Sequence, residues 1–275
     1  QGKGGAVLFT DEYRRALHAR KCMSDDILRG IDCGQFIPFF QPIVEARTHR
    51  IVSVEMLARW SHPTEGVLPP ARFLDIAADL NLLRLIDRQV LSAALVEFRH
   101  LRSRGYSLPR LSINVSVARL IEADFLDMIQ GALASGIPVD IELLESVFLD
   151  DPSSQLQWQL DRLRELGCGL HIDDFGTGHA SVAGLLKIRP DKVKIDKQFV
   201  IPALDDAKAR ALVRLILGIC VELGIDAVAE GVETVEHAAM IRDLGCRLLQ
   251  GHAFARPMSA EALCSVLTAG DGAAY

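Results

Sequence analysis

Eight short apolar, β-branched runs recur along this chain, and helical periodicity fills most of the gaps between them. The runs cover residues 37–44, 51–58, 111–115, 139–144, 169–172, 192–195, 226–229 and 247–249. Helical patterns cover 71–104, 118–135, 154–166, 180–187, 205–223 and 234–244, and a last helix is predicted over 260–267. Strand and helix in alternation argue for a parallel sheet, because the helix is the crossover that returns the chain to the same end. Eight such strands argue for closure into a barrel. A chain of 275 residues is long enough to build one around a sizeable core.

One connection breaks the alternation. Only residues 45–50 separate the first run from the second. That length suits a hairpin and is too short for a crossover. The first strand is therefore predicted to run against the second. The fold class is α/β, a TIM-like (β/α)8 barrel with an antiparallel first strand. An open doubly wound sheet would want a glycine fingerprint after its first strand, and none is present. Residues 1–30 differ from the rest. A glycine-rich start leads into a charged stretch at 11–29, anchored by Tyr13, Leu17, Ile27 and Leu28, which reads as a lead-in helix. The barrel is assigned to 31–269 and a short tail to 270–275.

Barrels of this kind keep their chemistry at the C-terminal mouth. Asn114, Glu142, Asp173 with Asp174, Glu230 and Gln250 fall at the ends of apolar runs. Glu55 and Lys194 alternate with Val54, Met56, Val193 and Ile195, so period two turns both toward the barrel axis. An apolar strand has no folding reason to end in a carboxylate, and several such ends brought together build a cation site. Adjacent Asp173 and Asp174 repel unless a cation sits beside them; the alternative is one helix cap and one solvated carboxylate. The oxygen of Asn114 suits a hard cation, or else a neighbouring strand loop. Lys194 can polarise a metal-bound water, or form a buried ion pair. Glu145, three residues beyond Glu142, cannot share its face of a strand; it reads as support for a neighbouring loop or as a helix-start charge. His62, His171, His179 and His252 lack a paired spacing and read as structural or solvated.

The formal net charge of −6 argues against a nucleic-acid binder, so no DNA or RNA partner is expected. An acidic protein that handles phosphates needs a cation to offset the repulsion. The six cysteines show no CxxC spacing and read as reduced thiols of a cytoplasmic protein. No run reaches the ~18 apolar residues of a membrane span. The nearest, 211–225, is broken by Arg214 and Glu222.

In this order, the segments resemble the EAL-domain family of cyclic di-GMP phosphodiesterases over about residues 31–267. The resemblance is carried by Phe40-Gln-Pro-Ile-Val44, Val54-Glu-Met-Leu-Ala-Arg-Trp60, Ile113-Asn-Val-Ser116, Glu142-Leu-Leu-Glu145, Asp173-Asp-Phe-Gly-Thr-Gly178, Val193-Lys-Ile-Asp196, Ala229-Glu-Gly-Val-Glu233 and Gln250-Gly-His-Ala-Phe-Ala-Arg-Pro257. It implies two divalent ions, Mg2+ or Mn2+. Glu55, Asn114, Glu142 and Asp173 would hold the first, and Asp173, Asp174 and Glu230 the second. Lys194 would orient the attacking water, with Glu230 also cast as general base. Glu145 would steady the loop after Asp174, and Gln250 would serve the nucleophile side. Gln41, Leu57, Arg59, Asp196 and Glu233 would bind cyclic di-GMP. The implied reaction opens that nucleotide to linear pGpG; the alternative is a catalytically silent receptor for it. The resemblance also implies a homodimer and a linked upstream regulatory or GGDEF domain, whose full-length protein can carry a membrane anchor.

Three departures stand out. The namesake Glu-Ala-Leu is Glu55-Met56-Leu57 here, Leu144 replaces the usual Thr, and His179-Ala180 replaces an aromatic residue and Ser.

Overall fold

Why a barrel forms is visible in what each strand does with its two faces. The computed structural model describes residues 11–145, 154–177 and 182–269. Among them are the strands β1 (Phe36–Glu45), β2 (Ile51–His62), β3 (Gly66–Leu68), β4 (Arg110–Asn114), β5 (Val139–Leu144), β6 (Gly169–Phe175), β7 (Lys192–Ile195), β8 (Asp226–Ala229) and β9 (Leu248–Leu249). The helices are α1 (Asp11–Asp32), α2 (Leu74–Asp79), α3 (Leu83–Ser103), α4 (Val117–Leu120), α5 (Ala123–Ala134), α6 (Ser154–Glu165), α7 (Val182–Ile188), α8 (Lys197–Val200), α9 (Ala207–Leu223), α10 (Val235–Asp243) and α11 (Ala260–Ala269). The described residues fall into two compact units, one within 11–37 and 58–92, the other within 38–57 and 93–269.

The larger unit carries the barrel. Its strands follow the order β1-β9-β8-β7-β6-β5-β4-β2, and β1 also pairs with β2, which closes the sheet. Every neighbouring pair from β2 through β4 to β9 is parallel. β1 alone opposes its neighbour, pairing Val44 with Leu249 and Glu45 with Leu248. The short connection forms the predicted hairpin. Glu45 N donates to Arg50 O, and His49 turns the chain in the left-handed region.

Apolar residues occupy the alternate positions of the parallel strands. Val54, Ile113, Ile141, Ile172 and Val193 are fully buried. The intervening positions are polar and just as buried: Ser53, Glu55, Ser112, Asp140, Glu142, His171 and Lys194. One sheet face therefore packs as core while the other gathers polar groups. An apolar cluster of Ile43, Val228 and Leu248, with Val52 against it, contributes to the rest.

In the smaller unit, Phe36, Trp60 and Phe73 pack ring against ring, and β3 pairs with the end of β2. The sequence pattern did not resolve β3, whose turn at Gly66 needs a positive φ of 74°. The single helix predicted over 71–104 is two helices, because Asn81 adopts φ 58° between them. The helix predicted over 118–135 likewise divides into α4 and α5. The lead-in helix forms as α1. α9 buries Val213, Ile216, Leu217 and Cys220 and exposes Leu212 and Leu215. No helix among the described residues is long and apolar enough to cross a membrane.

At the strand starts, buried Asp140 is ringed by nitrogen groups. Arg110 Nε donates to both its oxygens at 2.8 Å, and Gly169 N donates to Oδ1 at 2.8 Å. His171 Nε2 and Lys192 Nζ lie 3.5 and 3.7 Å from Oδ2. Burial pushes the Asp140 carboxyl up, but the surrounding nitrogen groups, Arg110 foremost, together hold it below the ordinary 3.8. A depressed carboxyl stabilises the fold above the unfolded-state value and loses that contribution as pH falls through the folded one. Asp140→Asn is expected to cost about 2–4 kcal/mol in denaturant unfolding at pH 7, the lower end reflecting a half-exposed Arg110. An unchanged midpoint would show that the pair contributes nothing.

Candidate functional site

The carboxylates that the sequence scatters over 176 positions converge on one ammonium group. Register brings them there. Asn114 pairs with Glu142, Glu142 with His171, and Leu144 with Asp173 across β4, β5 and β6. Lys194 of β7 enters from the far side, 1% exposed. Its Nζ lies 3.2 Å from Glu55 Oε2, 2.9 Å from Glu142 Oε2, 3.1 Å from Asp173 Oδ1 and 2.7 Å from Glu230 Oε1. Two groups of acidic oxygens result, each mutually within 4.8 Å: Glu55, Glu142 and Asp173, and Asp173, Asp174 and Glu230. Asp173 belongs to both.

β6 is longer than predicted. It continues through Asp173 and Asp174 to Phe175, with an irregularity in its pairing with β7 between Ile172 and Phe175. Asp174 takes φ 54°, so the two adjacent side chains need not alternate across the sheet. Aspartate tolerates this region better than most residues, and such strain gathers at functional sites.

The electrostatics record a deficit of positive charge. Burial raises the Glu55 carboxyl, with Lys194 only partly opposing it. Burial also pushes Glu230 up to about 8, and burial together with Asp173 pushes Asp174 up to about 7. Glu142 alone goes down, to about 2; burial opposes this, but Lys194 and His171 prevail. Even so, among the described residues Glu142 Oε1 is buried with no hydrogen-bond partner, and His171 Nδ1 lies 3.5 Å from it. One lysine cannot offset five carboxylates. Their donor atoms are all hard oxygens, the type that magnesium and manganese accept. The residues fit divalent cations.

Around the acids, amides complete the arrangement. Asn114 Nδ2 donates to Glu55 Oε1 at 2.7 Å, and Gln250 Nε2 donates to Glu55 Oε2 at 2.7 Å. Gln250 also lies 3.4 Å from Gln41 Oε1, and Gln41 donates to Ala255 O. Glu145 reaches the turn after β6, where its Oε2 accepts from Gly176 N at 2.7 Å and Thr177 N at 2.9 Å. Gly176 has φ 101°, and a Cβ there would meet the Phe199 ring at 2.9 Å. A cavity of about 320 Å3 opens beside the acids, lined by Gln41, Glu55, Leu57, Asp173, Glu230, Glu233 and Gln250 among others. Asp196 caps α8 by accepting from Gln198 N at 2.7 Å, and it stands beside Asp174. Arg59 belongs to the other unit, where it donates to Ala58 O. Met56 is buried and Leu144 is half exposed. His179 and Ala180 lie outside the described residues.

Sequence reasoning passed over Lys197 and Ile201 and read His252 as structural or solvated; all three also line the cavity. Lys197 directly follows Asp196, and His252 follows Gln250 by two, so proximity to assigned residues was the available signal. His171 was read as structural or solvated; it is buried against Glu142.

Comparison with known proteins places this arrangement. Residues 24–257 match the family described as the EAL domain. The chain is 35% identical over 237 residues to the cyclic di-GMP phosphodiesterase RocR of Pseudomonas aeruginosa, covering 85% of this chain and 60% of that protein. It is 31% identical over 264 residues to the oxygen sensor protein DosP of Escherichia coli, covering 94% of this chain and 33% of the relative. The chain thus spans one third to three fifths of the length of these curated relatives. Among solved structures, a PaMucR phosphodiesterase in complex with c-di-GMP superposes with a TM-score of 0.80 at 31% identity, covering 88% of this chain and 99% of that one.

Proposed function

The chain belongs to the EAL domain family, and from its site we propose that it hydrolyses cyclic di-GMP to linear pGpG. The observation that carries this reading is the pair of acidic groups sharing Asp173 around Lys194 at the mouth of the barrel. The phosphodiesterase names of RocR and PaMucR support it.

Two divalent cations, Mg2+ or Mn2+, would when bound neutralise phosphate charge and acidify a water. Glu55, Asn114, Glu142 and Asp173 would hold one, and Asp173, Asp174 and Glu230 the other. With Lys194, their charge would offset that of the five carboxylates. Lys194 donates from Nζ to the attacking water and fixes its direction. Glu230 accepts a proton from it. Attack on phosphorus breaks the bond to the ribose 3′ oxygen, which takes up a proton from solvent and leaves as a hydroxyl, giving an open dinucleotide. Leu57 and Glu233 face the cavity that would take the nucleotide, and Asp196, beside Asp174, would meet the nucleotide too. Gln41 and Gln250 position the attacked side. Glu145 keeps the turn at Gly176 and Thr177 in place. The same reading puts an upstream regulatory domain before α1 and a second copy of the chain against α9.

The deciding experiment is hydrolysis of cyclic di-GMP by the purified chain with Mg2+, with Mn2+ and with a chelator. Metal-dependent pGpG is expected, with at least about a 10^3-fold loss on chelation. Binding without product would favour the receptor. Absence of both would overturn either reading.

A further inference from the structure

A buried column of polar side chains descends from the acids toward the strand starts, and the mechanism above uses only its upper end. Its members are Glu142, His171, Asp140 and Arg110. His171 Nδ1 lies 3.5 Å from Glu142 Oε1, and on the other side of the ring Nε2 lies 3.5 Å from Asp140 Oδ2. Asp140 is fixed in turn by two hydrogen bonds from Arg110 Nε and one from Gly169 N. His171 is 1% exposed, and strand register sets it directly beside Glu142. The other Glu142 oxygen is taken by Lys194 at 2.9 Å. Among the described residues Oε1 is buried without a hydrogen bond, and so is His171 Nε2.

We infer that His171 is a positioning residue for Glu142, holding that carboxylate in the orientation a divalent cation requires. The inference rests on the metal-site reading. A glutamate has three side-chain torsions, and Lys194 restrains only one of its oxygens. An imidazole standing 3.5 Å from Glu142 on one side and 3.5 Å from an anchored Asp140 on the other narrows the room in which the second oxygen can swing. Groups that orient a ligand in this way are worth roughly 10–100-fold in metal affinity. Nothing in the column touches the cavity, so its effect passes through Glu142.

The test is Mn2+ binding to the full chain, followed by electron paramagnetic resonance, with folding checked by near-ultraviolet circular dichroism. His171→Leu, similar in bulk but without a polar atom, is expected to bind Mn2+ about 10–100-fold more weakly than wild type. His171→Gln, whose amide can still donate to Glu142, is expected to recover to within about threefold. Should His171→Leu not fold, His171→Asn takes its place, because its shorter amide falls short of Glu142; the same loss is expected. Wild-type affinity in the leucine or asparagine variant would overturn the inference. So would equal loss in the glutamine variant, which would mean the ring only fills space. Failure of the wild-type chain itself to bind Mn2+ would instead remove the metal site, and this inference with it.

Discussion

Replacing Glu55 with alanine is expected to stop hydrolysis, by about 10^3-fold or more, and to leave the fold standing. Glu55 sits at the centre of the site's contacts. One of its oxygens accepts from Asn114, and the other accepts from Gln250 and lies 3.2 Å from Lys194. Removing it deletes a cation ligand and at the same time releases two amides that no longer have a fixed target. Stability follows a different balance. Two buried hydrogen bonds are lost, which costs about 1–3 kcal/mol. Against that, burial and repulsion from Glu142 and Asp173 already raise the Glu55 carboxyl, so its ionised form is strained in the metal-free fold. Removing one like charge relieves the rest. The net change in unfolding free energy should stay within about 2 kcal/mol. Product formation and denaturant unfolding on the same preparation separate the two effects. Wild-type rates in the folded variant would take Glu55 out of the metal site.

The barrel was legible because its strands declare themselves twice, by apolar runs and by the helices between them. The antiparallel first strand was legible from one short connection, residues 45–50. Period-two alternation around Glu55 and Lys194 predicted that both turn inward, and the 3.2 Å between them agrees. What stayed hidden depends on local backbone choices or on register. The helix break at Asn81 and the extension of β6 through Asp174 each turn on one residue at positive φ, which leaves little trace in hydrophobic periodicity. The column from Arg110 to Glu142 joins residues on β4, β5 and β6, and only strand register makes them neighbours. A single histidine in an apolar run carries no such information, so His171 could be named but not placed.

Lys194→Ala should divide catalysis from binding. In the proposed reaction, the ammonium group acts on the attacking water rather than on the nucleotide. Its loss is therefore expected to lower kcat by about 10^2–10^3-fold while KM moves by only a few fold. The same substitution makes a second, independent demand. Lys194 is the shared cationic partner of Glu55, Glu142, Asp173 and Glu230. Taking it away leaves buried carboxylates facing one another, and removing one partner from a buried ion pair costs about 3–5 kcal/mol. Carboxyls already raised by burial can take up protons and soften that loss. A divalent cation can remove it altogether, since it restores positive charge at the same oxygens. The metal-free variant should thus melt well below wild type, and Mn2+ should raise its melting temperature by more than it raises that of wild type. Steady-state kinetics give the first comparison, and thermal unfolding with and without Mn2+ gives the second. An unchanged kcat with a large rise in KM would move Lys194 to substrate holding. An equal Mn2+ shift in both proteins would mean that lysine and cation do not answer to the same carboxylates, and the charge argument for the site would fail.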